Sequence, residues 1–123
     1  MELKDMPVTS LSAVKAGDRE GWLALFADDA IVEDPVGPCA WDPEGKGQRG
    51  KAAIAAFYDM FKDFQESFDF EIHHQEPRAN EVAVFVTMYI TMKDGTKSST
   101  KAINIYKQGS DGRIQSLRSF WNA

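Results

Sequence analysis

One cysteine, Cys39, is all the chain has. No internal disulfide can form, and nothing calls for an oxidising compartment. A basic run is missing too. Lys and Arg total 14 against 19 Asp and Glu, a net charge of -5, with the cations scattered among acids. Nucleic acid and anionic membranes both select a basic face, so neither is expected as a partner. No apolar stretch approaches membrane-spanning length, and Met1 to Pro7 is too polar for a signal peptide, so a cytoplasmic setting is the expectation. The two histidines, His73 and His74, are adjacent. A strand would turn them to opposite faces, and no Cys or His cluster completes a metal site. Gly45, Gly47 and Gly50 lack the Lys-Ser/Thr ending of a phosphate loop. Ser98, Ser99 and Thr100 have no nearby histidine to activate a hydroxyl. No tyrosine precedes Tyr58.

What is present fits one domain, 1–123. A chain of 123 residues with 43% apolar and 27% charged side chains can bury a single core. Pro7 to Lys15, closed by Gly17, reads as a first helix, and Asp18 as the N-cap of a second. That second helix carries Trp22, Leu23, Leu25 and Phe26 and leads into a short strand, Ala30 to Glu33. Pro35 to Arg49 reads as a loop, and Gly50 to Phe64 as a third helix with Ile54, Phe57, Tyr58 and Phe61 at helical spacing. From there the period changes to two. Phe68, Phe70 and Ile72 alternate with polar residues. Val82 to Met92 is apolar on both faces, with Val82, Val84, Val86, Met88 and Ile90 on one and Ala83, Phe85 and Tyr89 on the other. Lys93 to Thr96 is a hairpin turn, Lys97 to Lys107 the returning strand, and Arg113 to Asn122 the last strand. Helices followed by antiparallel strands give an α+β fold with the helices on one face of the sheet. Helices cover only one face of a single sheet, so the other face calls for a partner, and a homodimer is expected.

Asp34 is the residue with the most chemical promise. It ends a strand and shares a face with Ala30 and Val32. Apolar surroundings disfavour the charged carboxylate and raise its pKa toward the range of a general base. The competing reading is that Asp before Pro simply opens a turn.

The string ADDAIVEDPVG, followed by GKAAIAAFY, resembles the ketosteroid isomerase branch of the NTF2-like (SnoaL-like) superfamily. Gly112 to Trp121, GRIQSLRSFW, is similar to the last strand of that family, and Glu81 to Lys107 fits between them with little need for gaps. The resemblance covers about Gly17 to Trp121, with a longer loop over Pro38 to Gln48 than in the shortest members. It implies a cone of three N-terminal helices on a curved, mostly antiparallel sheet, with a pocket between the layers. It also places Asp34 on the family's general base, which moves a proton between two carbons of a steroid ring without a cofactor. Asn104 falls where the family carries an aspartic acid kept neutral by an apolar site, the donor to the developing enolate oxygen. An amide NH2 donates without pKa tuning, though more weakly. The family's second oxyanion donor, a tyrosine of the first helix, falls on Ser10, whose hydroxyl is too short to reach as far. Tyr58 falls on a tyrosine set behind the donors.

Phe57, Tyr58, Phe85, Tyr89 and Trp121 are candidates for the wall of an apolar pocket, each also explicable as plain core. Trp41, in the loop, is a candidate for an exposed lid or interface. The function implied is a steroid Δ-isomerase-like protein acting on a steroid or similar polycyclic ketone through Asp34, weakened at both oxyanion donors. Two alternatives stay open: a non-catalytic binder of a steroid-like hydrophobic ligand, and a SnoaL-like cyclase, dehydratase or hydrolase using the same Asp.

Overall fold

In the computed structural model, which describes residues 1–122, a short 3-10 turn at Leu3–Asp5 leads into α1 (Met6–Ala16). Pro7 sits in the first turn of α1, where its missing N–H is not needed. Gly17 ends the helix at φ 69, its N–H reaching the Ala13 and Val14 carbonyls. The Asp18 carboxylate then accepts from the Gly21 N–H at 3.0 Å, capping α2 (Arg19–Ala24).

The chain leaves α2 earlier than its apolar spacing suggests. Phe26, read from sequence as helical, opens strand β1 (Phe26–Glu33) and is fully buried. It pairs with Ile114, and that long-range pairing overrides the local helical period. The following loop hides a two-residue strand, β2 (Gln48–Arg49), which pairs with Val32 and Ile31. Next come α3 (Lys51–Phe64), then β3 (Gln65–Arg78), β4 (Glu81–Met92), β5 (Lys97–Gln108) and β6 (Ile114–Phe120).

The six strands form one sheet in the order β2-β1-β6-β5-β4-β3. Every neighbouring pair is antiparallel except β1 with β6. Register shifts in β3 between Gln65 and Ser67 and between Ile72 and His74 bend the long hairpin. The three helices cover the resulting concave face, α1 against β3 and β4 and α3 against β1 and β3. Val82, Val84, Val86 and Met88 of β4 are buried on that side. Ala83, Phe85 and Tyr89 stand on the other, exposed one.

Candidate functional site

The layers do not close completely. Between α1, α3 and the concave face lies a cavity of about 120 Å³. Leu11, Phe68, Met88, Ile90 and Leu117 supply apolar wall, and the lining residues that carry polar groups include Asp34, Asn104, Ser10, Tyr58 and Tyr106. Lys62 is the one cation on this lining among the described residues.

Asp34 is the first residue past β1 and continues the face of Ala30 and Val32, both with 0% exposure. Its peptide bond to Pro35 is cis. Burial pushes the Asp34 carboxyl above the ordinary carboxylate range, against smaller opposing effects of the Trp121 indole and of the nearby Ser119 side chain. The Trp121 indole N–H donates to Asp34 Oδ1 at 2.6 Å. Two tryptophans therefore grip one residue, since the Trp41 indole N–H donates to the Asp34 backbone carbonyl at 2.9 Å. Both ends of Asp34 are thus fixed before any ligand arrives. Trp41 is consequently not the exposed lid that its loop position suggests. Its ring lies 6.2 Å from Trp121 in a stack and 5.3 Å from Phe61 edge-on, partly buried against the core.

Asn104 comes from β5, directly opposite Ser119 of β6. The Ser119 hydroxyl donates to Asn104 Oδ1 at 2.5 Å. With Oδ1 paired to Ser119, the NH2 is the donating side of the amide, and Asn104 contacts the Tyr106 phenol. Two residues along the same strand face stands Tyr106, fully buried, with its hydroxyl 3.1 Å from Ser10 Oγ of α1. Burial pushes the Tyr106 phenol up to about 12, opposed by its contacts with Ser10 and Asn104 and reinforced by the charge of Asp34. Tyr58, from α3, packs its ring 5.4 Å from Trp22. Its hydroxyl is buried without a hydrogen-bond partner among the described residues.

Asp34, Asn104, Phe57, Tyr58 and Trp121 all lie on the lining of one cavity. Phe85 and Tyr89 do not. They lie on the convex face, 39% and 42% exposed, where Phe85 packs on His73 and Tyr89 donates to Glu71. The reason is the alternation along β4. Its even-numbered residues face the helices, and a strand apolar on both sides carries no local sign of which side that is. Met88 and Ile90 take the wall positions instead. Tyr106 stands two residues from Asn104 on the same strand face, but nothing in the sequence tied it to Ser10. His73 and His74 are not turned to opposite faces: the irregularity between Ile72 and His74 leaves both beside Phe85, His73 packed on its ring and His74 paired with it in register. Their hydrogen bonds go to Thr87 at 2.6 Å and Glu76 at 2.8 Å respectively.

Comparison with known proteins defines the class. Residues 9–117 match the SnoaL-like domain family, and the chain belongs to that family, within the NTF2-like superfamily. Its relatives put it on the ketosteroid isomerase-like branch. The steroid Delta-isomerase of Nocardioides simplex is 30% identical over 98% of this chain and 89% of its own length. The crystal structure of a Delta 5-3-ketosteroid isomerase from Mycobacterium sp. superposes with a TM-score of 0.90 at 36% identity, covering 98% of this chain and 92% of that one. A Mycobacterium tuberculosis protein solved in complex with estradiol-17beta-hemisuccinate gives 0.89 at 31% identity, covering 98% and 93%.

Proposed function

We propose that the protein catalyses proton transfer on a steroid or similar polycyclic ketone, with Asp34 as base and no cofactor. The Asp34 carboxylate takes a proton from the carbon between the carbonyl and an isolated double bond, leaving a dienolate. The carboxylic acid so formed returns the proton to the far end of the double bond, and the base is regenerated with the double bond conjugated. The Asn104 NH2 stabilises the charge that builds on the ketone oxygen in between. One observation carries this reading: a buried, upward-shifted carboxyl held on the lining of an apolar cavity by an indole donor. The relatives named for steroid isomerisation support it. Turnover should be slow, because an amide replaces an acid donor and the α1 position holds Ser10. The test is the absorbance of the conjugated product from a 5-ene-3-ketosteroid. Wild type should convert it slowly and Asp34→Asn not at all; an Asp34→Asn variant with wild-type turnover would leave Asp34 a turn residue.

A steroid-binding protein without turnover is the second reading, favoured by Ser10 and Asn104 at the two donor positions; the size of the cavity constrains both readings alike. Ligand pockets commonly hold roughly 300–1,000 Å³, and this one is about 120 Å³, so a four-ring ligand must either part the walls or stand partly outside. On either reading we take the 123-residue chain to act as one domain, in the cytoplasm and as a homodimer.

A further inference from the structure

The pairing of Ser10 with Tyr106 satisfies two buried hydroxyls and ties α1 to β5, and it does so on the lining of the cavity. Tyr106 sits on β5 between β4 and β6, opposite Val82 and Leu117, so strand pairing on both sides fixes its backbone. Its ring belongs to the buried core, while its hydroxyl meets Ser10, and Tyr106, Ser10 and Asn104 are all residues of the cavity lining. A serine in α1 leaves room there for a phenol that arrives from the sheet. We propose that the Tyr106 hydroxyl is the group on which the ligand's ketone oxygen docks, presented by Ser10 and flanked by the NH2 of Asn104.

The chemistry suits that task. A hydroxyl carries one proton and two acceptor sites, so Ser10 can donate to the phenol oxygen while the phenol donates to the ligand. Each phenol proton given to a ligand oxygen is then supported by a second donor behind it, which strengthens the bond in a water-excluded site. The phenol also stays protonated at neutral pH, with burial holding its pKa near 12, so it is a donor and not a competing anion. The ligand class follows: a flat apolar ring system with a carbonyl, or an enol or phenol oxygen, at its buried end. Tyr106 touches the ligand directly in this arrangement, whereas Ser10 acts through Tyr106 as a positioning residue.

This rests on the ketone-ligand reading above, and the test separates the two. Affinities are measured by calorimetry for a steroid 3-ketone and for the same skeleton lacking the 3-oxygen. Wild type should prefer the ketone. Tyr106→Phe, which deletes one atom, should lower ketone affinity about fivefold to tenfold, the scale of one hydrogen bond, and leave the deoxy compound unchanged. Ser10→Ala should lower the same preference by a smaller factor, and it serves as the second variant should Tyr106→Phe fold poorly. Where wild type turns over, Tyr106→Phe should also reduce kcat by about 10²–10³-fold, with Asp34→Asn as the inactive reference. Equal losses for both ligands, or no loss for either, would overturn the role of Tyr106 and leave Asp34 catalysis standing. Absence of turnover with the ketone preference intact would remove the isomerase reading and keep Tyr106. Wild type that binds neither compound, or does not distinguish them, would sink both the ligand class and the proposal.

Discussion

Burying a carboxylate beside Ala30 and Val32 has a cost that the stability of the protein should reveal. Because burial holds the Asp34 pKa above its ordinary value, the folded protein binds this proton more tightly than the unfolded chain does. Below the ordinary carboxylate pKa both states are protonated and there is no penalty. As pH rises from that value to the folded pKa the penalty grows, and above it stays constant. Asp34→Asn keeps an acceptor for the Trp121 indole and removes the charge. It should therefore be more stable than wild type at pH 7, by an advantage that shrinks as the pH falls into the acid range. Urea melts at several pH values measure this, and a variant equally or less stable at every pH would show that Asp34 is not held as argued. The same residue gives a second expectation. The Trp121 bond to Oδ1 lowers the Asp34 pKa against the larger effect of burial. Trp121→Phe removes that donor, so the carboxyl should titrate at higher pH than in wild type, read by carboxyl carbon NMR. A midpoint that stays put or falls would mean the indole does not control the base.

At the scale of elements, what the sequence disclosed was whatever local chemistry specifies. Pro7, Gly17 and Asp18 marked the ends of α1 and the start of α2, and each performs its expected task. The period-two segments became β3 to β6, with β4 and β5 ending within a residue of the reading, β6 slightly shorter than read, and β3 running well past the alternating Phe68, Phe70 and Ile72 at both ends. What was hidden depended on partners distant in the chain. Phe26 joined β1 because Ile114 was there to pair with it, and the even face of β4 became the cavity wall only because the helices packed on that side. Asp34 and Asn104 were visible through the family resemblance, while the Ser10–Tyr106 pair spans 96 positions and no local pattern announces it. The loop supplies a test at this scale. Gly47 adopts φ 80, and an added Cβ would lie 2.8 Å from Glu33 Cγ and 3.0 Å from the Val32 carbonyl oxygen. β2 follows directly and pairs with Ile31 and Val32, next to Asp34. Gly47→Ala should therefore cost about 1–2 kcal/mol for the left-handed backbone alone, with the contacts adding to it. A chemical melt within a few tenths of wild type would show that the loop shifts freely and does not anchor the end of β1.

For the molecule as a whole, the open question is the convex face of the sheet. Phe85 pairs in register with Ile103, and Ile103 with Phe120, so the three stand side by side across β4, β5 and β6. They are 39%, 51% and 40% exposed. An apolar row of this kind on a sheet face with no helix over it is costly to leave in water and suits burial against another surface. The row is bordered by charge: the Arg118 guanidinium lies 5.3 Å over the Phe120 ring, and Lys101 lines the groove beside Phe85 and Ile103. An apolar centre with a polar border is the usual anatomy of an interface. A second copy is the natural occupant, since a two-fold axis near Ile103 would set the same row against itself and close the assembly at two. The cavity lies on the other side of the sheet, between it and the helices. Wild type should therefore sediment as a dimer at micromolar concentration. Ile103→Lys, which places a like charge opposite itself across the axis, should shift the equilibrium to monomer while leaving the far-UV spectrum unchanged. A monomeric wild type would end the proposal, and an Ile103→Lys protein that stays dimeric would move the interface to another surface.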